Sequence, residues 1–328
     1  MRKLLLNSTA IATVAALTAS VAVADVSISA STEFKYKTRG SLVAANDTTT
    51  NTTDSEIVFK FSNKTDSGLT IGYVVELQSD GGDTAIDESS FSISGGFGKV
   101  VLGENDGVGD NFGIAAVDLI AEENLDSVKS ARVSTNSDIV QGAGDNTKIA
   151  YFMPAMGNLT AGVSSYEAGS AAGDTTTFGA AYAMDVDGID VTIGGASTST
   201  PVANAKNTQS HNVGIKVATM GGDLKMTLSR GSYAAVDENR DANGFAASYK
   251  LTSDITVGAY TVNSKDAKDA GEKYEASGVE AQYTIAAGLT AVVSVGNYDY
   301  QVGTNADTDM SAVSDNGTST SVTIKASF

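Results

Sequence analysis

The chain has 328 residues, with 39 Asp and Glu against 21 Lys and Arg, a formal charge of −18, 34 Gly, 2 Pro, and neither Cys nor Trp. So acidic a surface excludes nucleic acid as a partner, which needs basic charge to replace counterions. The absence of Cys excludes disulfides and thiolate metal sites.

The first element is a leader. Arg2 and Lys3 precede an apolar, small-residue run from Leu4 to Val23, and Ala22-Val23-Ala24 fits the small-residue cleavage rule. This predicts a cleaved secretory signal over residues 1–24 and a single mature domain over 25–328, with a charge of about −20 once the two basic residues are lost. Asn7, Ser8, Thr9, Thr13, Thr18 and Ser20 make the run too polar for a membrane anchor. No later stretch reaches the roughly 18 apolar residues that a membrane helix needs. A membrane protein with this composition has one form left, a closed barrel, whose alternating strands keep mean hydropathy near zero.

Alternation with period two then recurs to the end of the chain. In "VSISASTEFKYK", Ile28, Ala30, Phe34 and Tyr36 share one face, and Ser29, Ser31, Glu33 and Lys35 the other. In "SEIVFKFS", Ile57, Phe59 and Phe61 oppose Glu56, Lys60 and Ser62. In "GLTIGYVVELQ", Leu69, Ile71, Tyr73, Val75 and Leu77 oppose Thr70, Gly72, Glu76 and Gln78. Similar runs begin near Glu88, Lys99, Asn146, Leu159, Asp174, Ile189, His211, Asp223, Asn243, Ile255, Tyr274, Leu289 and Thr318. They predict about sixteen strands of roughly 9–11 residues, the length that crosses a bilayer at a tilt.

The connections are expected to alternate in size. Short ones carry Gly, Asp and Asn, as tight hairpins require: 63–68, 95–98, 153–158, 184–188, 220–223, 252–254 and 286–288. Long ones are expected at 38–54, 79–87, 105–145, 168–173, 199–210, 231–242, 264–273 and 301–317. Pro154 and Pro201 both fall in connections, where a missing N–H costs nothing. A secreted β-sandwich also alternates, but has no reason for a short-long rhythm or for a face of Ser, Thr, Gly, Lys and Glu on every strand. The fold predicted is an all-β transmembrane antiparallel barrel of 16 strands. Its last strand, "TSTSVTIKASF", pairs with the first, and Val322, Ile324, Ala326 and Phe328 face lipid. Tyr36, Tyr73, Tyr151, Tyr182, Tyr249, Tyr274 and Tyr283 are expected at the interfacial belts.

With "DVSISASTEFKY" opening the barrel, "GKVVLGENDG" before the longest connection and "TSTSVTIKASF" closing it, the chain resembles a general porin of the Gram-negative outer membrane, of the Rhodobacter-like alphaproteobacterial type. The resemblance implies a homotrimeric passive channel for small hydrophilic solutes and ions. Its partners would be outer-membrane lipid and lipopolysaccharide. It also implies that the third extracellular loop, here about 105–145, folds inward and narrows the bore. In that loop Ile114, Val117, Ile120, Leu125 and Val128 are expected as apolar anchors with a short helix.

Asp106, Asp110, Asp118, Glu122, Glu123 and Asp126 make the loop acidic, against Lys129 and Arg132. Carboxylates at a constriction attract cations, because low-dielectric walls focus their field. Parity assigns Lys35, Lys37, Lys60, Lys148, Lys216, Lys225, Lys250 and Lys325 to the lumen, with Glu33, Glu56, Glu76, Glu88, Asp190, Glu280 and Gln282. Such porins commonly carry Arg at the position of Glu104; an acid on the pore wall there weakens the basic side and favours cations. Tyr166, Tyr260 and Tyr298 have inward parity and are the candidates for an aromatic solute track, the mark of a substrate-specific channel. A non-transporting barrel for adhesion or envelope structure would instead have a plugged lumen.

No enzymatic role is expected: His211 is the sole His, and catalytic partners for it are not evident. "DVDGID" at Asp185–Asp190 reads as a turn, since the other ligands of a calcium loop are missing. No cofactor is expected beyond weak calcium binding by the acidic loops.

Overall fold

The computed structural model describes residues 25–44, 47–80, 83–121, 146–167, 173–236, 238–268, 271–303 and 314–328. Sixteen strands follow in order. They are β1 (Asp25–Ser41), β2 (Thr48–Lys64), β3 (Thr70–Asp80), β4 (Asp83–Gly95), β5 (Gly98–Glu104), β6 (Thr147–Phe152), β7 (Leu159–Glu167) and β8 (Asp174–Val186). The second half is β9 (Ile189–Thr200), β10 (Thr208–Thr219), β11 (Leu224–Ala234), β12 (Asn239–Lys250), β13 (Ile255–Asp266), β14 (Lys273–Ala286), β15 (Leu289–Gln301) and β16 (Asp315–Ser327). The expected leader lies outside the described residues.

Each strand pairs antiparallel with its neighbours in sequence, and β16 pairs with β1, so the sheet is a closed barrel. The seam is tight. Ala30 N–H donates to the Phe328 carbonyl at 3.2 Å, and Phe328 N–H to the Ala30 carbonyl at 2.8 Å. Closure gives every strand two partners and leaves no edge, the condition under which strands enter hydrocarbon.

The two faces are inverted relative to a soluble protein. In β16, Val322 and Ile324 are 43% and 39% exposed, whereas Ser321 and Thr323 between them are 0% exposed. Phe34, Phe178, Leu228 and Val279 repeat the outward apolar pattern around the wall. Phe328 and the expected belt residues Tyr36, Tyr73, Tyr182 and Tyr283 are exposed on this outer face. Tyr274 is an exception: it is fully buried inside the barrel, for a reason given below.

The short connections fall where Gly and Asp place them. Between β8 and β9, Asp187 and Gly188 both have positive φ, 53° and 80°, the two-residue hairpin that matches strand twist. Several expected long connections are shorter, because the strands run on. The first spans 42–47, the second 81–82, and the one before β12 235–238. The stretch Thr48–Asp54 has no alternation, yet it pairs residue by residue with β1, Thr52 opposite Lys35 and Asp54 opposite Glu33. Where both faces meet polar surroundings, the neighbouring ladder holds a strand that no apolar pattern announces.

Gly188→Val puts a β-branched residue into the left-handed region and should cost about 1–2 kcal/mol. Urea titration of the folded barrel, followed by its gel mobility, should show the lower midpoint with unchanged cooperativity.

Candidate functional site: the loop inside the barrel

After β5 the chain turns into the bore. Asn105 makes the corner: its amide donates to the Gly103 carbonyl at 2.8 Å and accepts from Gly107 N–H at 3.0 Å. Gly107 has φ 70°, which favours glycine. The helix α1 (Gly107–Phe112) follows, then a 3₁₀ turn at Ala116–Leu119. Val108, Phe112, Ile114, Ala115, Ala116, Val117 and Ile120 are all buried against the inner wall. The expected anchors Ile114, Val117 and Ile120 thus hold the loop, while Leu125 and Val128 lie outside the described residues.

Wall side chains replace the strand partners that the loop backbone lacks. Val108 N–H donates to Ser164 Oγ on β7 at 3.2 Å. Asn212 on β10 grips Ile114 from both sides, accepting its N–H at 2.7 Å and donating to its carbonyl at 2.9 Å. Ala116 N–H donates to Ser229 Oγ on β11 at 2.8 Å. Ala121 N–H donates to Glu280 on β14 at 3.0 Å, and its carbonyl accepts from Lys325 Nζ on β16 at 2.7 Å. Lys148 Nζ on β6 donates to the Asn105 carbonyl. From β6 round to β16, the segment is tied to more than half of the wall.

Glycines on the inner face make room for it. Gly162 stands opposite Gly179, and Gly194 opposite Gly214, in the strand register. A methyl group on Gly179 would lie 2.7 Å from the Phe112 ring, and one on Gly214 2.4 Å from Ile114. On β13, Gly258 would meet Ile120 at 2.9 Å. Further round, Ala115–Val117 and Ile120 pack on Ala246, Tyr260, Val262, Tyr274, Ala276, Tyr298 and Tyr300. This explains the burial of Tyr274. It also removes Tyr260 and Tyr298, 4% exposed each, as residues of a solute track. Tyr298 donates to Asp315 at 3.2 Å and Tyr300 to Glu272 at 3.1 Å, so these rings are supports for the loop.

The outward side of the anchored segment faces the bore and is acidic. Asp106, Asp110 and Asp118 are exposed on it. Asp118 also accepts Ala115 N–H at 3.2 Å, capping the 3₁₀ turn. Glu122, Glu123 and Asp126 lie outside the described residues. On the inner wall Lys35 is 3.2 Å from Glu33, which is 2.8 Å from Lys325. Lys37 is half-buried on the same face of β1, and Glu76 stands opposite Glu88. Lys60, Lys216 and Lys225 are exposed on the inner face towards the short turns. Two expectations need correction. Lys148 is 4% exposed, because the loop covers it and takes its ammonium. Glu104 stands opposite Thr147, next in register to Leu102 and Ile149, on the outward parity and not on the pore wall.

Sequence reading missed Asn212, Ser229, Ser164 and the glycine track. The available signal was the recurrence of inward Gly on successive strands. Among the described residues, no three His, Asp or Glu side chains converge as a metal site. His211 is exposed on the outer face with Ser197 Oγ at 2.8 Å from its Nδ1.

Gly214→Ala should push Ile114 off the wall and destabilise the loop by about 1–3 kcal/mol. Asn212→Ala strips both hydrogen bonds to Ile114 and should cost about 1–3 kcal/mol. Hydrogen exchange at Ile114 and Ala116 should accelerate in both variants while exchange in β1 and β16 stays slow.

Three solved structures show the same barrel. An anion-selective porin from Comamonas acidovorans superposes with a TM-score of 0.69 at 16% identity, covering 93% of this chain and 100% of that one. A variant of the Rh. blastica porin gives 0.66 at 18% identity, covering 92% and 100%. The trimer form of OmpT, an outer membrane protein of Vibrio cholerae, gives 0.64 at 13% identity, covering 93% and 99%. No curated protein is significantly similar in sequence. Residues 10–327 match the Gram-negative porin family. A closed barrel with a polar inner face, an apolar outer face and a loop lining its bore is a passive diffusion channel, and this chain belongs to the Gram-negative porins of the outer membrane.

Proposed function

We propose that the channel is a general pore for small hydrophilic solutes that prefers cations, works as a homotrimer, and runs without any chemical step. One observation carries the preference. The anchored loop leaves Asp106, Asp110 and Asp118 exposed towards the bore, while Lys148 beneath it and Lys325 at its far end are set back against loop carbonyls, Lys325 also being offset by Glu33 at 2.8 Å. The acids are therefore more open to passing ions than these two bases are. The chain's overall excess of carboxylates acts in the same direction. The Comamonas porin has this fold and is anion-selective, so the barrel itself sets no sign. The sign comes from the side chains each chain places in the bore. The trimer rests on the trimer form of the Vibrio protein and on outward small residues, Ala30, Ala161, Ala180 and Ala247, that permit close approach. Burial of the inner tyrosines under the loop favours a general pore over a substrate-specific one.

Purified protein in a planar bilayer should give steady ohmic steps, and a salt gradient should give a reversal potential on the cation side. Asp106→Asn, Asp110→Asn and Asp118→Asn together should move that potential towards anions. The shift should be larger at 0.1 M than at 1 M salt, because screening lengths fall from about 10 Å to about 3 Å. An unchanged potential at both concentrations would show that these acids do not set the selectivity.

A further inference from the structure

Basic side chains on the inner face are sorted by height. Six lysines with inward parity stand no more than four residues from a strand end at a short connection: Lys60 and Lys64 on β2, Lys99 on β5, Lys216 on β10, Lys225 on β11 and Lys250 on β12. All six are exposed, and among the described residues none has an ion-pair or hydrogen-bond partner. Three of them are neighbours. Register sets Lys225 opposite Ala218 and Ser248, so Lys216 and Lys250 are its diagonal neighbours on either side, about 7–8 Å away. Bases at the level of the loop and above it are engaged instead. Lys35 and Lys325 pair with Glu33, Lys148 and Lys325 donate to loop carbonyls, and Arg240 pairs with Glu238. Asp25, Asp185 and Asp190 share the inner face at the short-turn end, three acids against six lysines. Asp66, Asp187, Asp223 and Asp254 lie in the connections, past the last strand residues.

The lysines are set apart from the loop acids. Lys225 is four residues along β11 from Ser229, which holds the loop at Ala116, and Lys216 is four along β10 from Asn212, which holds it at Ile114. Four residues are about 13 Å of strand, and about 10 Å of bore at a tilt near 40°. That is about one screening length in 0.1 M salt, so each group acts on the ions beside it. The bore thus carries two fixed zones in series, acidic at the loop and basic at the short-turn mouth. We propose that this order makes the channel a rectifier, which conducts more when the side of the long connections is positive. At that polarity cations leave the acidic zone towards the lysines, and anions leave the basic zone towards the acids. Both accumulate where the zones meet. With the polarity reversed, each zone loses its counter-ions outward and the other zone sends it none, so the junction is depleted. The narrow part still sets which ion is preferred; the lysines set the dependence on direction. The proposal rests on the channel reading and goes beyond it.

Single channels in a planar bilayer test this, with their orientation marked on the chain. The sequence has no Cys, so Ala203→Cys in the connection between β9 and β10 supplies a single thiol. A maleimide-coupled dextran too large for the bore lowers the step only from the chamber that the long connections face. In 0.1 M salt the current should be about twofold larger with that chamber positive. In 1 M salt the steps should be ohmic, because the screening length falls from about 10 Å to about 3 Å. Lys216→Gln/Lys225→Gln/Lys250→Gln should bring the ratio in 0.1 M salt towards one while the reversal potential stays on the cation side. Adding Lys60→Gln, Lys64→Gln and Lys99→Gln should abolish the asymmetry. Equal currents from wild type in 0.1 M salt would overturn the proposal, as would a larger current at the opposite polarity or an unchanged ratio in the sixfold variant. No current at all would remove the channel and the rectifier with it, whereas cation-selective steps of equal size would remove the rectifier alone.

Discussion

The constraint on which everything else depends is the backbone hydrogen bond in hydrocarbon. No water is present there to accept or donate, so every N–H and C=O in the spanning segment needs a partner within the protein. Sixteen strands meet that demand only because the first and last pair with each other, and the reciprocal bonds between Ala30 and Phe328 complete the ring. With closure secured, the outward side chains have one task, contact with lipid, and the inward ones are released from packing a core. The chain has its buried apolar clusters where the loop meets the wall, among Val108, Phe112 and their neighbours and among Ala115–Ile120 and the tyrosines.

The same constraint shapes the loop. A segment laid against a barrel wall finds the wall's own backbone groups already paired, so it must bond to side chains. Asn212 supplies a donor and an acceptor at the spacing of a strand partner, and Ser164, Ser229 and Glu280 supply one acceptor each. Close approach then requires missing Cβ atoms on the wall, which the facing pairs Gly162–Gly179 and Gly194–Gly214 provide. Polar grips and glycines act together, because a side chain as short as Asn reaches the loop backbone only when the loop lies flat.

Legibility in the sequence followed physical redundancy. Strand number, the hairpin turns and the sense of the two faces were readable because a strand between oil and water must alternate, and a two-residue turn must carry Gly, Asn or Asp. The strand ends were not readable. Thr48–Asp54 looks like a loop because both its faces are polar, and only the register of β1 makes it a strand. The acidic loop and its apolar anchors were visible as composition, whereas the fate of each lysine was not. Lys148 and Lys216 have the same inward parity, and only the path of the loop decides that one is covered and the other open. Tyr274 misled for a related reason: its place near a strand end suggested the interfacial belt, but its parity pointed inward to the loop's footing.

The footing of the described segment runs along β6–β14 and ends on β16. Wall positions beneath that footing carry the obstruction and tolerate little change in volume, as the close approaches at Gly179 and Gly214 require. Inner-face residues that stand exposed, such as Lys60, Lys216 and Lys225, bear none of that load, so they can drift with the solutes a cell encounters and permeability evolves without renegotiating the architecture.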